Sequence, residues 1–161
     1  MSDRGDTSID RVTADLDAEA AVRRVMVAYM AACDAHDADA VADLMHPDVI
    51  FEPLIPGTGG GLNGREEVRA DYRIACARLT YCVHYLTNER IRVDGDRAEA
   101  GWSFFEPATN RGDLAVWTAG RYRHVLTRRD GVWKFAEFRI TGVLAAPFAT
   151  GWVPEHKVPL P

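Results

Sequence analysis

The sequence predicts an α+β fold in which three helices come first and a mostly antiparallel sheet follows. Between residues 17 and 79, apolar residues recur at three- and four-residue steps, which is typical of amphipathic helices. After residue 80 they alternate at two-residue steps, and the dipeptides Asp94-Gly95 and Asp130-Gly131 favour tight hairpins. Helices that are segregated from a run of strands indicate an α+β domain, with the helices packed on one side of a curved sheet.

The first predicted helix begins after Asp17, which is a plausible N-cap, and ends near Ala35. The second is short, is capped by Asp37 and ends at Pro47. The third covers residues 65 to about 79, with Asn63 as its cap. Apolar residues at helical spacing form the inward stripe of the first helix: Val22, Val25, Met26, Tyr29, Met30 and Cys33.

The sheet is predicted from one short strand and two hairpins. The short strand lies between the second and third helices, and a loop rich in glycine and proline follows it. The predicted strands are Val49–Glu52, Tyr81–Val93, Arg97–Glu106, Leu114–Thr127 and Val132–Leu144. Two-residue periodicity puts Trp102, Phe104 and Glu106 on one face, and Trp133, Phe135, Glu137, Arg139 and Thr141 on one face of the last strand.

Length and composition bound the domain organisation. We expect a flexible N-terminal segment at residues 1–14, one α+β domain at 15–144 and a Pro-rich tail at 145–161. The net charge is −5 and the acidic residues are dispersed, which argues against nucleic acid as a partner. Three cysteines without CxxC spacing suggest reduced thiols and a cytoplasmic location, and no apolar run predicts a membrane span or a signal peptide.

Four polar residues lie on or near apolar faces and are candidates for a functional site: Tyr29, Asp34, His84 and Glu106. Each also has an ordinary explanation. His84 between apolar neighbours is often a satisfied core histidine, Asp34 in D-A-H-D-A-D is often a solvated loop residue, and Glu106 at a strand end can reach solvent. Tyr29 lies on the apolar stripe, where a buried hydroxyl needs a partner.

No metal site and no phosphate loop are predicted. H-x-x-x-H is absent, and no second histidine lies near His84 in the sequence. Gly59, Gly60 and Gly61 lack the lysine and the strand-to-helix setting of phosphate-binding loops. The sequence also lacks the G-x-S-x-G elbow of serine hydrolases.

Several short stretches together resemble the nuclear transport factor 2-like superfamily. They are Y-M-A-A-C-D-A-H-D at 29–37, L-M-H-P-D-V-I-F at 44–51, G-R-E-E-V at 64–68, H-Y-L-T-N-E-R-I-R-V-D-G-D-R-A at 84–98, and G-R-Y with R-D-G-V-W-K-F at 120–135. The chain is most similar to the SnoaL-like and scytalone dehydratase-like group, which includes bile acid 7α-dehydratases and hexachlorocyclohexane dehydrochlorinases. The resemblance covers residues 15–144 and implies a cone-shaped barrel, with three helices against a strongly bent sheet that encloses one pocket.

The resemblance also implies roles for the candidate residues. Enzymes of this group pair a helix-end aspartate with a strand histidine, and Asp34 and His84 match those positions. Tyr29 matches a tyrosine of the dehydratases, and Glu106 falls near an acidic residue of the bile acid enzymes. Arg139 is one position out of register with an arginine of the dehydrochlorinases, which weakens the case for halide elimination.

These residues suit the elimination of water across a carbon–carbon bond. A histidine oriented by a carboxylate can remove a proton from carbon, and a tyrosine hydroxyl can polarise a carbonyl. No cofactor is needed for this chemistry. The expected pocket is apolar and suits a cyclic or polycyclic small molecule; its predicted lining residues are Phe51, Leu86, Trp102, Phe104 and Trp117.

Other functions remain open at the level of sequence. The same pocket could serve an isomerase or a polyketide-type cyclase, or it could bind a small molecule without turnover, as many proteins of this fold do. The small β subunit of a ring-hydroxylating dioxygenase is a weaker alternative, because it gives no reason for Asp34 and His84 to occur together. The resemblance also implies a homodimer or homotrimer.

Overall fold

The computed structural model describes residues 6–54 and 60–152. Residues 1–5 of the expected N-terminal segment, 55–59 of the expected loop and 153–161 of the expected tail lie outside the described residues. The described helices are α1 (Asp6–Asp34), α2 (Ala38–Asp43) and α3 (Arg65–Arg78). The described strands are β1 (Met45–Leu54), β2 (Leu62–Asn63), β3 (Leu79–Cys82), β4 (Tyr85–Asp94), β5 (Arg97–Asn110), β6 (Leu114–Arg129) and β7 (Val132–Pro147).

The strands form one mixed sheet in the order β2-β1-β7-β6-β5-β3, and β4 also pairs with β5. Only the β1–β7 pair is parallel among the strand pairs that the structure describes. Register shifts interrupt the β4–β5 and β6–β7 ladders. Such irregularities bend strands, and here the sheet curls around the helices. The predicted α+β fold with helices on a strongly bent sheet is therefore confirmed.

The main core lies between α1 and the concave face of the sheet. Val22 and Met26 of α1 are fully buried, and they belong to one cluster with Leu126 and Phe135 of the last two strands. Burial of this apolar surface is the main stabilising contribution to the fold. None of the described helices is long and apolar enough to cross a membrane.

One predicted helix start and one predicted helix cap are wrong. Helix α1 begins at Asp6, well before the predicted cap Asp17, and Ile9, Val12 and Leu16 extend its apolar spacing although they are exposed. Helix α3 has no side-chain cap: Gly64 precedes it at φ 93°, and the Asn63 backbone N–H donates to Glu67 at 2.9 Å. The cap at Asp37 is confirmed, because its carboxylate accepts from the Ala40 N–H at 2.9 Å.

The two hairpin turns differ from each other. At Asp130-Gly131 both central residues have positive φ, at 51° and 78°, so the predicted turn is confirmed. The first turn is displaced by one residue from the prediction, because Asp94 pairs with Arg97 and the central residues are Gly95 and Asp96. Of this pair only Gly95 has a positive φ.

The predicted alternation along the last strand is also wrong after Phe135. Phe135 pairs with Leu126 and Glu137 pairs with Val125, so Ala136 is the extra residue of a bulge. Beyond the bulge the inward positions are Phe138 and Ile140 instead of the odd-numbered residues. Arg139 consequently faces outward, where its Nε donates to Glu52 at 2.5 Å.

Candidate active site

Asp34 and His84 form a hydrogen-bonded pair at one end of α1. Asp34 is the last residue of the helix, since the chain turns at His36, which has a φ of 57°. The Asp34 Oδ1 atom lies 2.7 Å from His84 Nδ1 and accepts the His84 backbone N–H at 3.1 Å. The His84 side chain is 9% exposed and that of Asp34 is 31% exposed. Because a carboxylate only accepts, Nδ1 carries the hydrogen and Nε2 is left free.

His84 does not lie in mid-strand as predicted, and the reason is in the facing strand. Cys82 of β3 pairs with Ala108, and Tyr85 of β4 pairs with Phe105. The two intervening residues therefore face Glu106 and Pro107, and a proline has no N–H to donate to the ladder. The strand is interrupted at this point, so the His84 N–H is available to Asp34 and the ring turns inward.

Glu106 approaches the other side of the imidazole. Its Oε1 atom is 3.6 Å from His84 Nε2, which is too long for a direct hydrogen bond. Its Oε2 atom and its own carbonyl oxygen both lie 2.8 Å from the Thr118 hydroxyl, which can donate to either. The Glu106 side chain is 14% exposed. The imidazole thus lies between two carboxylates. Asp34 is hydrogen-bonded to Nδ1, and Glu106 lies close to Nε2 without a direct hydrogen bond.

Tyrosine hydroxyls form a second polar part of the site. The Tyr29 and Tyr72 hydroxyl groups are hydrogen-bonded to each other, and the Tyr29 ring meets Tyr122 edge-on with centroids 6.1 Å apart. Burial raises the pKa of all three phenols well above 10. They stay neutral at physiological pH, so they can donate hydrogen bonds to a ligand oxygen.

These groups share one cavity of about 520 Å³. Among its apolar lining residues are Phe51, Leu62, Phe104 and Ile140, and Gly120 leaves room for the Phe104 ring, since a Cβ there would overlap it. The polar and sulfur-bearing lining residues include Tyr29, Tyr72, Tyr122, His84, Glu106, His36, Cys33, Cys76 and Cys82. Asp34 contacts the cavity through His84.

Three of the five predicted pocket residues are absent from the described lining. Leu86 packs against the main core. Trp102 points inward but lies against His124, and its Nε1 is 3.4 Å from Glu89. Trp117 is on the outer face, stacked on Phe105 at 5.3 Å, because the inward positions of β6 are the even-numbered ones. Phe51 and Phe104 do line the cavity.

Several lining residues were not singled out from the sequence. Tyr72 of α3 is one of them, although a buried hydroxyl needs a partner there as much as at Tyr29. Tyr122 could have been found from the even-numbered inward positions of β6. Cys82, His36 and Thr118 come to the site through tertiary packing, which no local pattern reports.

A sequence profile of the SnoaL-like domain matches residues 14–139. The chain belongs to the SnoaL-like domain family. This assignment confirms the predicted place in the nuclear transport factor 2-like superfamily. No curated protein sequence matches this SnoaL-like chain.

Solved structures of similar fold include two proteins of Novosphingobium aromaticivorans. One is a candidate aromatic ring hydroxylase, with 24% identity, a TM-score of 0.76 and coverage of 84% of this SnoaL-like chain and 96% of the other. The second is a candidate scytalone dehydratase, with 18% identity, a TM-score of 0.74 and coverage of 83% and 89%.

A third similar structure is the hexachlorocyclohexane dehydrochlorinase LinA-type3 of Novosphingobium barchaimii. It has 23% identity and a TM-score of 0.75, and the match covers 91% of this chain and 99% of the other. At these identities the likeness shows that the SnoaL-like fold is shared.

Proposed function

We propose that this SnoaL-like protein is a lyase that eliminates water from an apolar cyclic substrate without a cofactor. The observation that carries the proposal is the 2.7 Å contact between Asp34 Oδ1 and His84 Nδ1. This contact fixes the tautomer, so that the lone pair of Nε2 faces the cavity. An oriented imidazole of this kind is a general base, and the carboxylate stabilises the imidazolium that forms.

The proposed reaction starts at a carbon next to a carbonyl group. Nε2 of His84 takes the proton, and the electron pair of the C–H bond moves into the enolate. A phenol of the Tyr29–Tyr72 pair donates a hydrogen bond to the enolate oxygen. The enolate then expels the hydroxyl group on the next carbon. That group accepts a proton from the imidazolium and leaves as water, which restores neutral His84.

The cavity supports an apolar ring system as the substrate. A volume of about 520 Å³ lies in the range that encloses small organic ligands, roughly 300–1,000 Å³. Phe51 and Phe104 offer flat aromatic surface, and the polar groups gather at His84 and at the tyrosine pair. A substrate with one carbonyl and one hydroxyl group on a ring would meet both polar regions at once.

The similar structures are consistent with this class of reaction. A dehydratase removes water and a dehydrochlorinase removes hydrogen chloride, and both names occur among the proteins that share this fold. Fold-level likeness gives this support by association, since one fold hosts many activities. The geometry of Asp34 and His84 is the independent argument.

An isomerase or cyclase is the second candidate, and Glu106 favours it. Its carboxylate lies 3.6 Å from Nε2, so two proton-carrying groups face the same point of the cavity. A proton taken by one group and returned by the other at a different carbon would give isomerisation without loss of water.

The test is a turnover assay of the full chain on a panel of cyclic β-hydroxy carbonyl compounds in deuterated water. Elimination gives a product that lacks one water, whereas isomerisation gives a product of the same composition that carries solvent deuterium. His84→Gln should abolish either reaction and keep the fold. Normal turnover by His84→Gln would show that His84 is not the base. Saturable binding of the panel without turnover would replace the enzyme by a small-molecule-binding domain.

A further inference from the structure

Beside the proposed base, three side chains of different chemistry offer metal ligands to one point. A carboxylate oxygen of Asp34, the Sγ of Cys82 and an imidazole nitrogen of His84 all lie within 4.8 Å of one another. A second imidazole adjoins them, with His36 Nε2 only 3.5 Å from Cys82 Sγ. Oxygen, sulfur and nitrogen in this mixture are the ligand types that zinc takes in proteins.

The spacing suits a tetrahedral ion. Bonds of about 2.3 Å to sulfur and about 2.0–2.1 Å to nitrogen, opened at the tetrahedral angle, separate the two ligand atoms by about 3.6 Å. The distance between Cys82 Sγ and His36 Nε2 is 3.5 Å. Asp34, Cys82 and His84 hold their ligand atoms within 4.8 Å of one another, and His36 joins this group through its contact with Cys82.

The charges around Cys82 favour a dication. Asp34 is itself one of the converging ligands, and a carboxylate oxygen of Glu106 lies 3.6 Å from His84 Nε2. Both carboxylates attract a divalent cation, and a thiol that coordinates such an ion binds as the thiolate. The thiol's proton leaves to the buffer, and no oxidation or reduction accompanies binding.

We propose that Asp34, Cys82 and His84, with His36 as the fourth ligand, form a binding site for a thiophilic divalent cation such as Zn²⁺. The site is built from the Asp34–His84 pair but does not depend on the elimination proposed above, because binding needs no substrate. An ion that takes the carboxylate of Asp34 and the imidazole of His84 as ligands breaks the hydrogen bond between these two side chains. The ion is therefore an inhibitor of a base at His84, not a cofactor for it.

The experiment is a titration of the metal-free full chain with Co²⁺, a spectroscopic substitute for Zn²⁺. We expect one equivalent to bind, with a thiolate-to-cobalt charge-transfer band and the absorption of a four-coordinate ion, and Zn²⁺ should displace it. Mutation of a residue that only hydrogen-bonds to a metal ligand lowers the affinity for the metal about 10–100-fold. Loss of a ligand itself should cost no less. Cys82→Ser should therefore remove the band and weaken binding at least about tenfold.

A matched control separates this thiol from its neighbour. Cys76 also lines the cavity but is not one of the converging ligands, so Cys76→Ser should bind Co²⁺ like the unaltered chain. Cys82→Ala and His36→Gln give further variants if one fails to fold, as judged by circular dichroism. Absence of the band in the unaltered chain, or its survival in folded Cys82→Ser or Cys82→Ala, overturns the proposal. None of these outcomes depends on turnover.

Discussion

The carboxylate of Asp34 holds His84 twice, through the backbone N–H at 3.1 Å and through Nδ1 of the ring at 2.7 Å. The two residues are 50 positions apart in the sequence. One side chain at the end of α1 thus fixes both the backbone at the break between β3 and β4 and the orientation of the imidazole. A change at Asp34 should alter the position of His84 as well as the tautomer of its ring.

Asp34→Asn should lower kcat by orders of magnitude, on the order of 10⁴ as for loss of the orienting aspartate in a catalytic triad. An amide oxygen can still accept the backbone N–H, so the fold should survive. The ring, however, loses the anion that selects its tautomer. Asp48→Asn is the matched control, because Asp48 is exposed and pairs with Arg129 away from the cavity. Equal kcat for the two variants would remove Asp34 from the mechanism.

Tyr29→Phe and Tyr72→Phe should each destabilise the fold by about 1–3 kcal/mol, because each leaves the other hydroxyl without its partner. The double variant should cost less than the sum of the two. Urea unfolding of the four proteins measures this coupling. Strict additivity would mean that the two hydroxyls do not interact in solution. Turnover should fall less in either variant than in Asp34→Asn.

Glu106→Gln should lower kcat more than Thr118→Val does. The Thr118 hydroxyl donates to Glu106, so its removal frees the carboxylate without deleting it. The split between kcat and KM distinguishes a positioning role from a packing role, since Thr118→Val should lower kcat and leave KM nearly unchanged. Thr141→Val, an exposed position on β7, serves as the control. An unchanged kcat in Thr118→Val contradicts the positioning role.

His124 should make the fold sensitive to acid. Burial lowers its pKa from 6.5 to about 3, and its ring lies 4.1 Å from that of Phe138. Between those two pH values His124 binds a proton in the unfolded chain but not in the folded chain. The free energy of unfolding is therefore not reduced by His124 above pH 6.5. It falls as the pH drops toward 3, by several kcal/mol at most. Urea unfolding at pH 7 and pH 4.5 measures the loss.

His124→Phe is the variant that isolates this effect, since it keeps an aromatic ring among Phe135, Phe138 and Trp102. Above pH 7 its free energy of unfolding should differ from that of the unaltered chain by a constant amount. Between pH 7 and pH 4.5 the variant should lose distinctly less stability than the unaltered chain does. The same loss in both proteins would place the acid sensitivity in other groups.

Prolonged treatment with chelator should leave turnover intact, because no step of the proposed elimination uses a metal. Addition of Zn²⁺ should lower turnover, since the ion would occupy His84 and Asp34. Both effects are measured with one substrate by initial rates. Loss of activity in chelator that returns with a divalent ion would contradict a cofactor-free reaction.

The sequence predicted the parts of this fold that depend on local pattern. Asp37 caps α2 and Asp130-Gly131 turns as expected, because each depends on its own backbone preferences. The break at His84 was missed since its cause, Pro107, lies on the facing strand. The change of face after Phe135 was missed for a similar reason, because a bulge is visible only once two strands are paired. The approach of Cys82 to His36 likewise needs the whole fold.

Because Asp34 alone positions His84 through two hydrogen bonds, the catalytic pair and the shape of the cavity can change independently in evolution. The pair is set by the end of α1 and by an interrupted strand, whereas much of the cavity wall comes from α3 and β1. Substitutions at Phe51, Leu62 or Ile74 can reshape the space for a ligand without contact with Asp34. A lineage could therefore exchange one substrate for another through its wall residues and keep an inherited base, so substrate range should diverge faster than reaction type.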